Sequence, residues 1–534
     1  QERPYRNVMG EELGWGACRT LLRSARDAGF IEMVTPSVYQ INPAFPWFYG
    51  RSLHRQARAA GVGQLEQEFV RVYADTADYF LETLHENQDA GATAVLLEEG
   101  NLTQALGLAL EGRQWEPAQI LIQPLAQVYQ MQKRYPELRR LRRQVLQAVA
   151  PGEGSAQESQ EQGAIELWLY LQGTEANEAT ELGDLERSEE INRDLLEYLE
   201  SQESGNEDPR TASVCHQFGV IALRRWQVDQ AEEWFQRSLA IIEAGEDRES
   251  VADDYHCLGQ VCQRQRRYAD AKVWFGKSLE IHQRSGDQEE MVNDYRALGS
   301  ATQFKFEYEE AESWYQRARA ILEENRDEET ALLVYHELGT VYHARFMYEE
   351  AERWYKQALT LSDQLGKAGQ MAHEFHYLGL MEQGRGMFFD DAENWFELAL
   401  EKREELGDRK GAGDEHRQLG VLHHEQKKLD QAEGCYRRAL DIFEEIGDLQ
   451  RVSRTLGQLA MVEEDRGNLA EALSWAHRTY ELAIEHQLPV LTQVKSHLAR
   501  LRDKFGEAEF NQWWRGSTGG EPPTGLDVDT STIL

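Results

Sequence analysis

Apolar and small residues recur along this chain with a period of about 40 residues, and each period holds two stretches of helical spacing. "LGTVYHARFMYEEAERWYKQAL" runs from Leu338 to Leu359, and "LGSATQFKFEYEEAESWYQRAR" stands 40 residues before it. Apolar residues three and four apart predict two amphipathic helices with a short turn between them. One such hairpin cannot bury its apolar stripe alone, so the period predicts a stack of hairpins that cover one another.

Four columns of residues repeat in register and predict how each hairpin packs. The small-residue column is Gly219, Gly259, Gly299, Gly339, Gly379, Gly420 and Ala460. An alanine column follows at Ala231, Ala271, Ala311, Ala351, Ala392, Ala432 and Ala472, and an aromatic column at Phe235, Phe275, Tyr315, Tyr355, Phe396 and Tyr436. Tryptophans stand at Trp234, Trp274, Trp314, Trp354, Trp395 and Trp475. We expect the small residues to let two helices approach closely, and the rings to pack within and between repeats rather than on nucleic acid.

The regular repeats occupy only part of the chain. Upstream, apolar residues keep helical spacing without a clear period, which predicts degenerate hairpins. At the start, "GACRTLLRSARDAGFIEMV" predicts a helix and a turn, and "SVYQINPAFPWFYGRSLHRQA" predicts a short strand, a proline-rich corner and a helix. We divide the chain into a winged-helix-like segment 1–55, degenerate hairpins 56–205, a seven-repeat array 206–500, a capping helix 501–515 and a disordered tail 516–534.

Charge and motif content narrow the function classes. The formal net charge of −37 argues against nucleic acid and anionic membrane surfaces as partners, and permits a protein or peptide. The five cysteines are odd in number and show no paired CxxC spacing, which indicates a reducing compartment, hence the cytoplasm. No apolar run reaches the length of a membrane span. No GxxxxGK[ST], HExxH or GxSxG motif occurs, so we expect no catalytic site and no cofactor in this chain.

The repeat resembles the tetratricopeptide repeat (TPR), in its version of about 40 residues, from about Asp208 to Leu501. This resemblance implies an all-α fold, a right-handed superhelix (α-solenoid) whose first helices line a concave groove. The order of winged-helix-like segment, "EEGNLTQALGLAL" and repeat array is similar to the C-terminal half of bacterial STAND signalling NTPases of the NB-ARC or NACHT kind. In that family the stretch matching "YQINPAFPWF" joins the nucleotide switch to the sensor, although Asn42 stands where a histidine is common. The resemblance to STAND NTPases implies an NTPase domain before Gln1, through which the protein could oligomerise.

The same resemblance places the position three residues before each small-column glycine in the groove. This position, and others one to two turns later, carry imidazole, guanidinium and amide groups, which suit backbone carbonyls, carboxylates or a peptide C-terminus. The candidate ligand-binding residues are His216, His256, Arg296, His336, His376, Arg417, Gln263, Arg264, Gln303, His343, His373 and His424. An alternative is a zinc site near His336, His343, His373 and His376, but we expect no metal, because neighbouring first helices lie on the order of 10 Å apart. The remaining candidates are assigned to the core: His416, His423, Cys215, Cys262 and Cys435.

Three functions fit these observations. The first is a sensor module that binds a protein or peptide in the groove and controls an upstream signalling NTPase, with antiviral defence as one setting. Its ligand must bind one conformation better than the other, or no equilibrium shifts. The second is a free-standing scaffold that bridges two proteins, and the third is a metal hydrolase that uses the histidines. The reading frame before Gln1 separates the first two, and metal analysis tests the third.

Overall fold

A computed structural model describes residues 31–35, 38–41, 62–149, 162–202, 208–243, 249–386, 389–523 and 526. In segment 1–55, which the sequence predicts to be winged-helix-like, the described part is an antiparallel pair of strands, β1 (Ile31–Thr35) and β2 (Val38–Ile41), with Ile31 opposite Ile41. Strand β2 lies where the sequence predicts a strand. Residues 31–34, predicted as the end of a helix and its turn, instead form the partner strand of β2. The other predicted features of this segment lie outside the described residues.

Twenty-two helices follow within the described ranges, in the predicted succession of hairpins. They are α1 Val62–Glu86, α2 Gln88–Glu111, α3 Trp115–Met131, α4 Tyr135–Val149, α5 Gln162–Glu181, α6 Leu185–Glu200, α7 Pro209–Arg224, α8 Val228–Ile242, α9 Glu249–Arg264, α10 Tyr268–Ser285, α11 Gln288–Phe304, α12 Tyr308–Asn325, α13 Glu328–Ala344, α14 Tyr348–Gln364, α15 Ala368–Arg385, α16 Phe389–Glu405, α17 Arg409–Glu425, α18 Leu429–Glu445, α19 Leu449–Arg466, α20 Leu469–Glu485, α21 Leu491–Phe505 and α22 Glu507–Thr518. In the regular array, α7 to α20, odd numbers mark the first helix of each hairpin and even numbers the second. No helix in these ranges is both long enough and apolar enough to cross a membrane.

The chain divides into two compact units, residues 1–241 and 242–534. In the first unit, α1 packs on α2 and α3 around buried leucines such as Leu102 and Leu121, and α5 packs on α6 in a separate cluster that includes Ile191 and Leu195. In the second unit, each helix from α10 to α19 packs against its partner in the hairpin and against the adjacent hairpin. The all-α solenoid of helical hairpins that the sequence predicts is therefore present.

The small-residue column leaves the space that an aromatic ring of the second helix occupies. A Cβ at Gly339 would lie 2.5 Å from Cε1 of Tyr355, and a Cβ at Gly299 would lie 2.6 Å from Cε1 of Tyr315. These tyrosine side chains are almost completely buried, as is Ala351 of the alanine column. The prediction that small residues admit the aromatic rings is confirmed. Glycine is needed here for space rather than for backbone freedom, since neither Gly339 nor Gly299 has a positive φ.

Turns between hairpins use the predicted glycine and aspartate. Gly286 ends α10 with a φ of 79°, and the Asp287 side chain accepts hydrogen bonds from the backbone N–H groups of Glu289 and Glu290. Glycine tolerates the left-handed conformation, and the aspartate caps the free N–H groups of α11. Turns inside hairpins differ, because bulky residues such as Phe346 adopt a positive φ (59°) while their side chains stay exposed.

The C-terminal part departs from the sequence prediction. Helix α22 continues to Thr518, beyond the predicted boundary at 515, because Phe510 and Trp514 on its apolar face are buried against α20 and α21. Leu526, in the tail predicted to be disordered, is buried with 4 % of its surface exposed. The prediction of disorder is thus wrong for 516–518 and for Leu526, while residues 524–525 and 527–534 lie outside the described residues.

Candidate functional site

Three histidines of the predicted column each bond a buried carboxylate on the first helix of the next hairpin. The pairs are His256 Nδ1 with Asp294 Oδ1 at 2.8 Å, His336 Nδ1 with Glu374 Oε1 at 3.0 Å, and His376 Nδ1 with Glu415 Oε2 at 2.9 Å. Because a carboxylate only accepts hydrogen bonds, Nδ1 carries the proton in each neutral ring and Nε2 remains as an acceptor. These side chains therefore join consecutive first helices and keep one ring nitrogen for another partner.

The carboxylates were missed by sequence reasoning, although a signal for them exists. Each lies five residues before the small-column glycine of its own hairpin: Asp294, Glu374 and Glu415. At most 1 % of each residue is exposed. An acid repeating at a position that the stack buries indicates a partner in the neighbouring repeat, since a buried charge is rarely left unpaired.

The second-helix donors to these carboxylates differ from hairpin to hairpin. Asp294 also accepts from His282 Nδ1 at 2.7 Å and from Ser278 Oγ at 3.1 Å. Glu415 also accepts from Arg403 Nε at 2.9 Å. Burial acts to raise the pKa of the Glu374 carboxyl, but the hydrogen bond from His336 and the nearby imidazole of His373 outweigh it and hold that pKa below its ordinary value.

The arginine and glutamines of the column also bridge adjacent first helices. Arg296 binds Glu337 through two hydrogen bonds, Nη2–Oε1 at 2.7 Å and Nε–Oε2 at 3.1 Å. Burial raises the pKa of Glu337 more than Arg296 lowers it. Further bridges are Gln263 to Ser300 Oγ at 2.6 Å, Gln303 to Thr340 Oγ1 at 3.2 Å and His424 Nε2 to Asp465 at 3.1 Å.

The remaining predicted residues have different surroundings. His216 packs edge-on against Phe235, with the ring centroids 5.4 Å apart, and Arg264 is exposed. His343 packs against the rings of Tyr348 and Tyr355, and burial lowers its pKa. Arg417 lines a cavity that is described below.

Two histidines of the zinc alternative come together, with a carboxylate that the sequence did not suggest. His336 and His373 have ring centroids 4.5 Å apart, and one ligand atom from each lies within 4.8 Å of the other and of one from Glu374. His343 and His376 are not part of this group. Of that alternative the geometry retains only His336, on α13, and His373, on α15, and it adds Glu374 of α15 to them.

Most of the histidines and cysteines that the sequence analysis assigned to the core are buried. His416 and His423 are buried, and burial lowers the pKa of each imidazole. Cys215 and Cys262 are buried, whereas Cys435 is only partly buried. The tryptophans have equivalent environments, since Trp274, Trp314 and Trp354 each face a tyrosine on the first helix of their own hairpin: Tyr255, Tyr295 and Tyr335.

A cavity of about 730 Å³ opens at Gly457, which stands three residues before Ala460 and so continues the column of candidate ligand-binding residues. Among the described residues, nothing lies within 4 Å of a Cβ placed at this glycine, so the missing side chain leaves room. Residues from the first helices α17, α19 and α21 line most of the cavity, and Leu526 also contributes. The charged residues among them are Arg417, Arg454, Arg500, Arg502 and Asp503, with His497 beside them. Arginine is the most frequent charged residue in this lining, but three of the four are paired: Arg417 lies 3.9 Å from Asp414, Arg500 lies 2.9 Å from Glu464 and Arg502 lies 3.3 Å from Asp503.

Glu464 forms ion pairs with basic residues at the edge of the cavity. Its carboxylate bonds Arg500 at 2.9 Å, Lys504 at 2.8 Å and His497 at 2.9 Å. Burial acts to raise the pKa of Glu464, but these ion pairs outweigh it and lower the pKa from 4.5 to about 2. Arg454 is exposed at the cavity and forms no hydrogen bond or ion pair with the described residues, so its guanidinium is available to an incoming acid.

Comparison with known proteins identifies the repeat. Residues 250–324, 295–364, 370–445 and 415–485 match the tetratricopeptide repeat family model, so this part of the chain consists of TPR repeats. No curated protein matches the chain.

Several solved structures are similar at low identity. A STAND signal-transduction ATPase with a TPR sensor from Pyrococcus horikoshii is 15 % identical, with a TM-score of 0.47, covering 92 % of this chain and 62 % of its own. Aspartyl phosphate phosphatase F from Bacillus subtilis is 15 % identical, with a TM-score of 0.45, covering 68 % and 93 %. BtubC from P. vanneervenii is 22 % identical, with a TM-score of 0.37, covering 40 % and 91 %. At these values the similarities carry no argument about function.

Proposed function

We propose that the chain is a recognition module that binds a polypeptide along the first helices of its repeats and holds an acidic group of that polypeptide in the cavity at Gly457. The observation that carries this proposal is an arginine-lined cavity on the predicted binding face of a chain with net charge −37, in which Arg454 is exposed and makes no ion pair with the described residues. TPR stacks suit the role, because repeated hairpins create an extended surface that no single hairpin could maintain.

The chemistry of the cavity defines the expected occupant. Its volume of about 730 Å³ is typical of a ligand pocket and accommodates a few side chains. Arginine side chains bind carboxylates through paired, charge-assisted hydrogen bonds, which favours aspartate, glutamate or a terminal carboxylate. Leu526 of the chain itself lines the cavity and is almost fully buried, so an apolar side chain from a non-helical segment is also accepted. The expected ligand therefore combines an apolar residue with neighbouring acids.

Peptide binding tests this proposal directly. The probes are fluorescein-labelled peptides in which a leucine stands among aspartates, and matched peptides in which lysines replace the aspartates. Fluorescence polarisation should detect binding of the acidic peptides to the full chain, weakening as salt is added, and no binding of the lysine peptides. Equal binding of both sets, or binding of neither, would overturn the proposal.

Two pairs of variants locate the binding. Gly457→Leu fills the cavity and should weaken binding at least about tenfold, while the change favours the helix. Gly434→Leu is its control, because Gly434 also lies in a helix with open space but outside the cavity. Arg454→Glu should weaken binding, whereas Lys410→Glu makes the same change of charge at an exposed position outside the cavity and should not. Unchanged affinity of Gly457→Leu would place the ligand elsewhere.

The sensor role is the finer part of the proposal. It rests on the sequence resemblance of "YQINPAFPWF" and of the segment order to STAND NTPases. In this proposal the protein acts in the cytoplasm, and binding of its ligand controls the nucleotide switch. The test is the reading frame before Gln1, followed by nucleotide hydrolysis of the full-length protein with and without the acidic peptide. A frame without a phosphate-binding loop would favour the scaffold that bridges two proteins.

A further inference from the structure

We propose that His336, His373 and Glu374 form a binding site for one zinc ion that joins two consecutive hairpins. His336 lies on α13, the first helix of one hairpin, and the other two ligands lie on α15, the first helix of the next. This inference does not depend on the polypeptide-binding proposal, because the two sites share no residue.

The distances suit a small divalent cation. His336 Nδ1 lies 3.0 Å from Oε1 and 3.1 Å from Oε2 of Glu374, and His373 Nδ1 lies 3.9 Å from Oε1. An ion bound between these atoms takes the place of the proton that His336 Nδ1 otherwise donates to the carboxylate, so metal binding releases that proton. Tetrahedral zinc with bonds of about 2.0–2.1 Å separates its ligand atoms by about 3.3 Å, which lies between these values. At the Asp294 pair the geometry is different, because His256 and His282 bond opposite oxygens of the carboxylate. At Glu374 both imidazoles approach the same oxygen. At Asp294 the two rings bond opposite oxygens of the carboxylate.

The electrostatic surroundings of Glu374 also favour a cation. Asp294 and Glu415 each receive a ring or guanidinium donor from a residue twelve positions earlier, on the preceding second helix. At the same spacing before Glu374 stands Ser362, whose hydroxyl donates to the Leu359 carbonyl instead. Glu374 is 1 % exposed, and no lysine or arginine pairs with it among the described residues. A buried carboxylate served only by imidazoles is a site where a divalent ion supplies the missing positive charge.

A polar group beside the site points the same way. The Tyr355 ring lies 5.7 Å from the ring of His336, and its buried hydroxyl has no hydrogen-bond partner among the described residues. Its counterpart Tyr315 donates to Gln303 at 3.3 Å, but His343 replaces that glutamine here. A water that completes the coordination of the ion could satisfy this hydroxyl. His373, whose side chain is 39 % exposed, leaves the ion a path from solvent.

The experiment measures metal binding by the full chain without a histidine tag, after treatment with a chelator. Cobalt(II) reports its ligand geometry through its visible absorption, and zinc should displace it with a stoichiometry of one per chain. His373→Ala should lower zinc affinity at least about tenfold, and Glu374→Gln should do the same with little change in shape. His376→Ala is the control, because His376 bonds its own buried carboxylate, Glu415, whose second partner is the Arg403 guanidinium rather than an imidazole.

The outcomes separate clearly. Zinc should also raise the melting temperature of the wild type, because it binds the folded chain across two hairpins, and should not raise that of His373→Ala. A wild type without saturable binding would overturn the inference. So would a His373→Ala variant that binds as tightly as the wild type, since the ion would then sit elsewhere, for example on cysteine thiolates.

Discussion

The tight contact between Gly339 and the Tyr355 ring makes Gly339→Ala a sharp test of the packing. A Cβ at this position would lie 2.5 Å from Cε1 and 2.6 Å from Cδ1 of Tyr355. Ordinary carbon contacts are about 3.5–4.0 Å, so the ring must move by about 1 Å or more. Tyr355 is completely buried, which leaves it little room to do so. Overpacking of this kind costs about 1–3 kcal/mol.

Gly434→Ala supplies the matched control. Gly434 lies in α18, and a Cβ there would meet nothing within 4 Å. Both substitutions replace a helical glycine by alanine and gain about the same helix propensity, about 1 kcal/mol. We expect Gly434→Ala to stabilise the chain by about that amount and Gly339→Ala to be less stable than Gly434→Ala by about 1–3 kcal/mol. The difference between the two isolates the contact with Tyr355.

Urea unfolding followed by circular dichroism gives the two stabilities. Hydrogen exchange locates the effect, which should be confined to peptides from α13, α14 and their neighbours, because each repeat contacts only the adjacent repeats. In a Tyr355→Leu background the penalty should shrink, since the ring that opposes the methyl group is gone. If the two alanine variants unfold at the same urea concentration, the ring moves freely and the reasoning is refuted.

Three further outcomes are expected. His376→Ala should lower the free energy of unfolding by about 1–3 kcal/mol, because it removes a donor from the buried Glu415 carboxylate; a urea midpoint equal to that of the wild type would contradict the pairing. Phe346→Gly should raise stability by about 0.5–1 kcal/mol in the same assay, since Phe346 is 76 % exposed and has a φ of 59°; a loss would show that its ring contributes packing. Because the folded chain lowers the pKa of Glu464 from 4.5 to about 2, its contribution to stability is complete above pH 4.5 and is lost as pH falls toward 2. The stability difference between wild type and Glu464→Gln should therefore shrink over that window in thermal melts, and a constant difference would refute the assignment.

The sequence by itself determined the repeated unit. The columns through Gly339, Ala351 and Tyr355 predict which faces of the two helices meet. Space for a buried ring depends on the sizes of the residues around it, and these sizes follow from the sequence. The caps of the inter-hairpin turns follow as well, since Gly286 and Asp287 act through their own backbone and the next few residues. The column of histidines could also be located, as its position depends only on helical periodicity.

The partners of that column were decided by the tertiary structure. His336 meets Glu374, 38 residues away, because one hairpin is stacked on the next in a particular register. The arginine-lined cavity likewise joins Arg417, Arg454 and Arg500 from three helices, and only their packing shows that Gly457 leaves an opening between them. Leu526 is buried through contacts with distant helices, which its polar neighbours in sequence do not reveal. Local pattern fixes contacts within one hairpin, whereas charge pairing and cavities depend on distances between hairpins that only the folded stack defines.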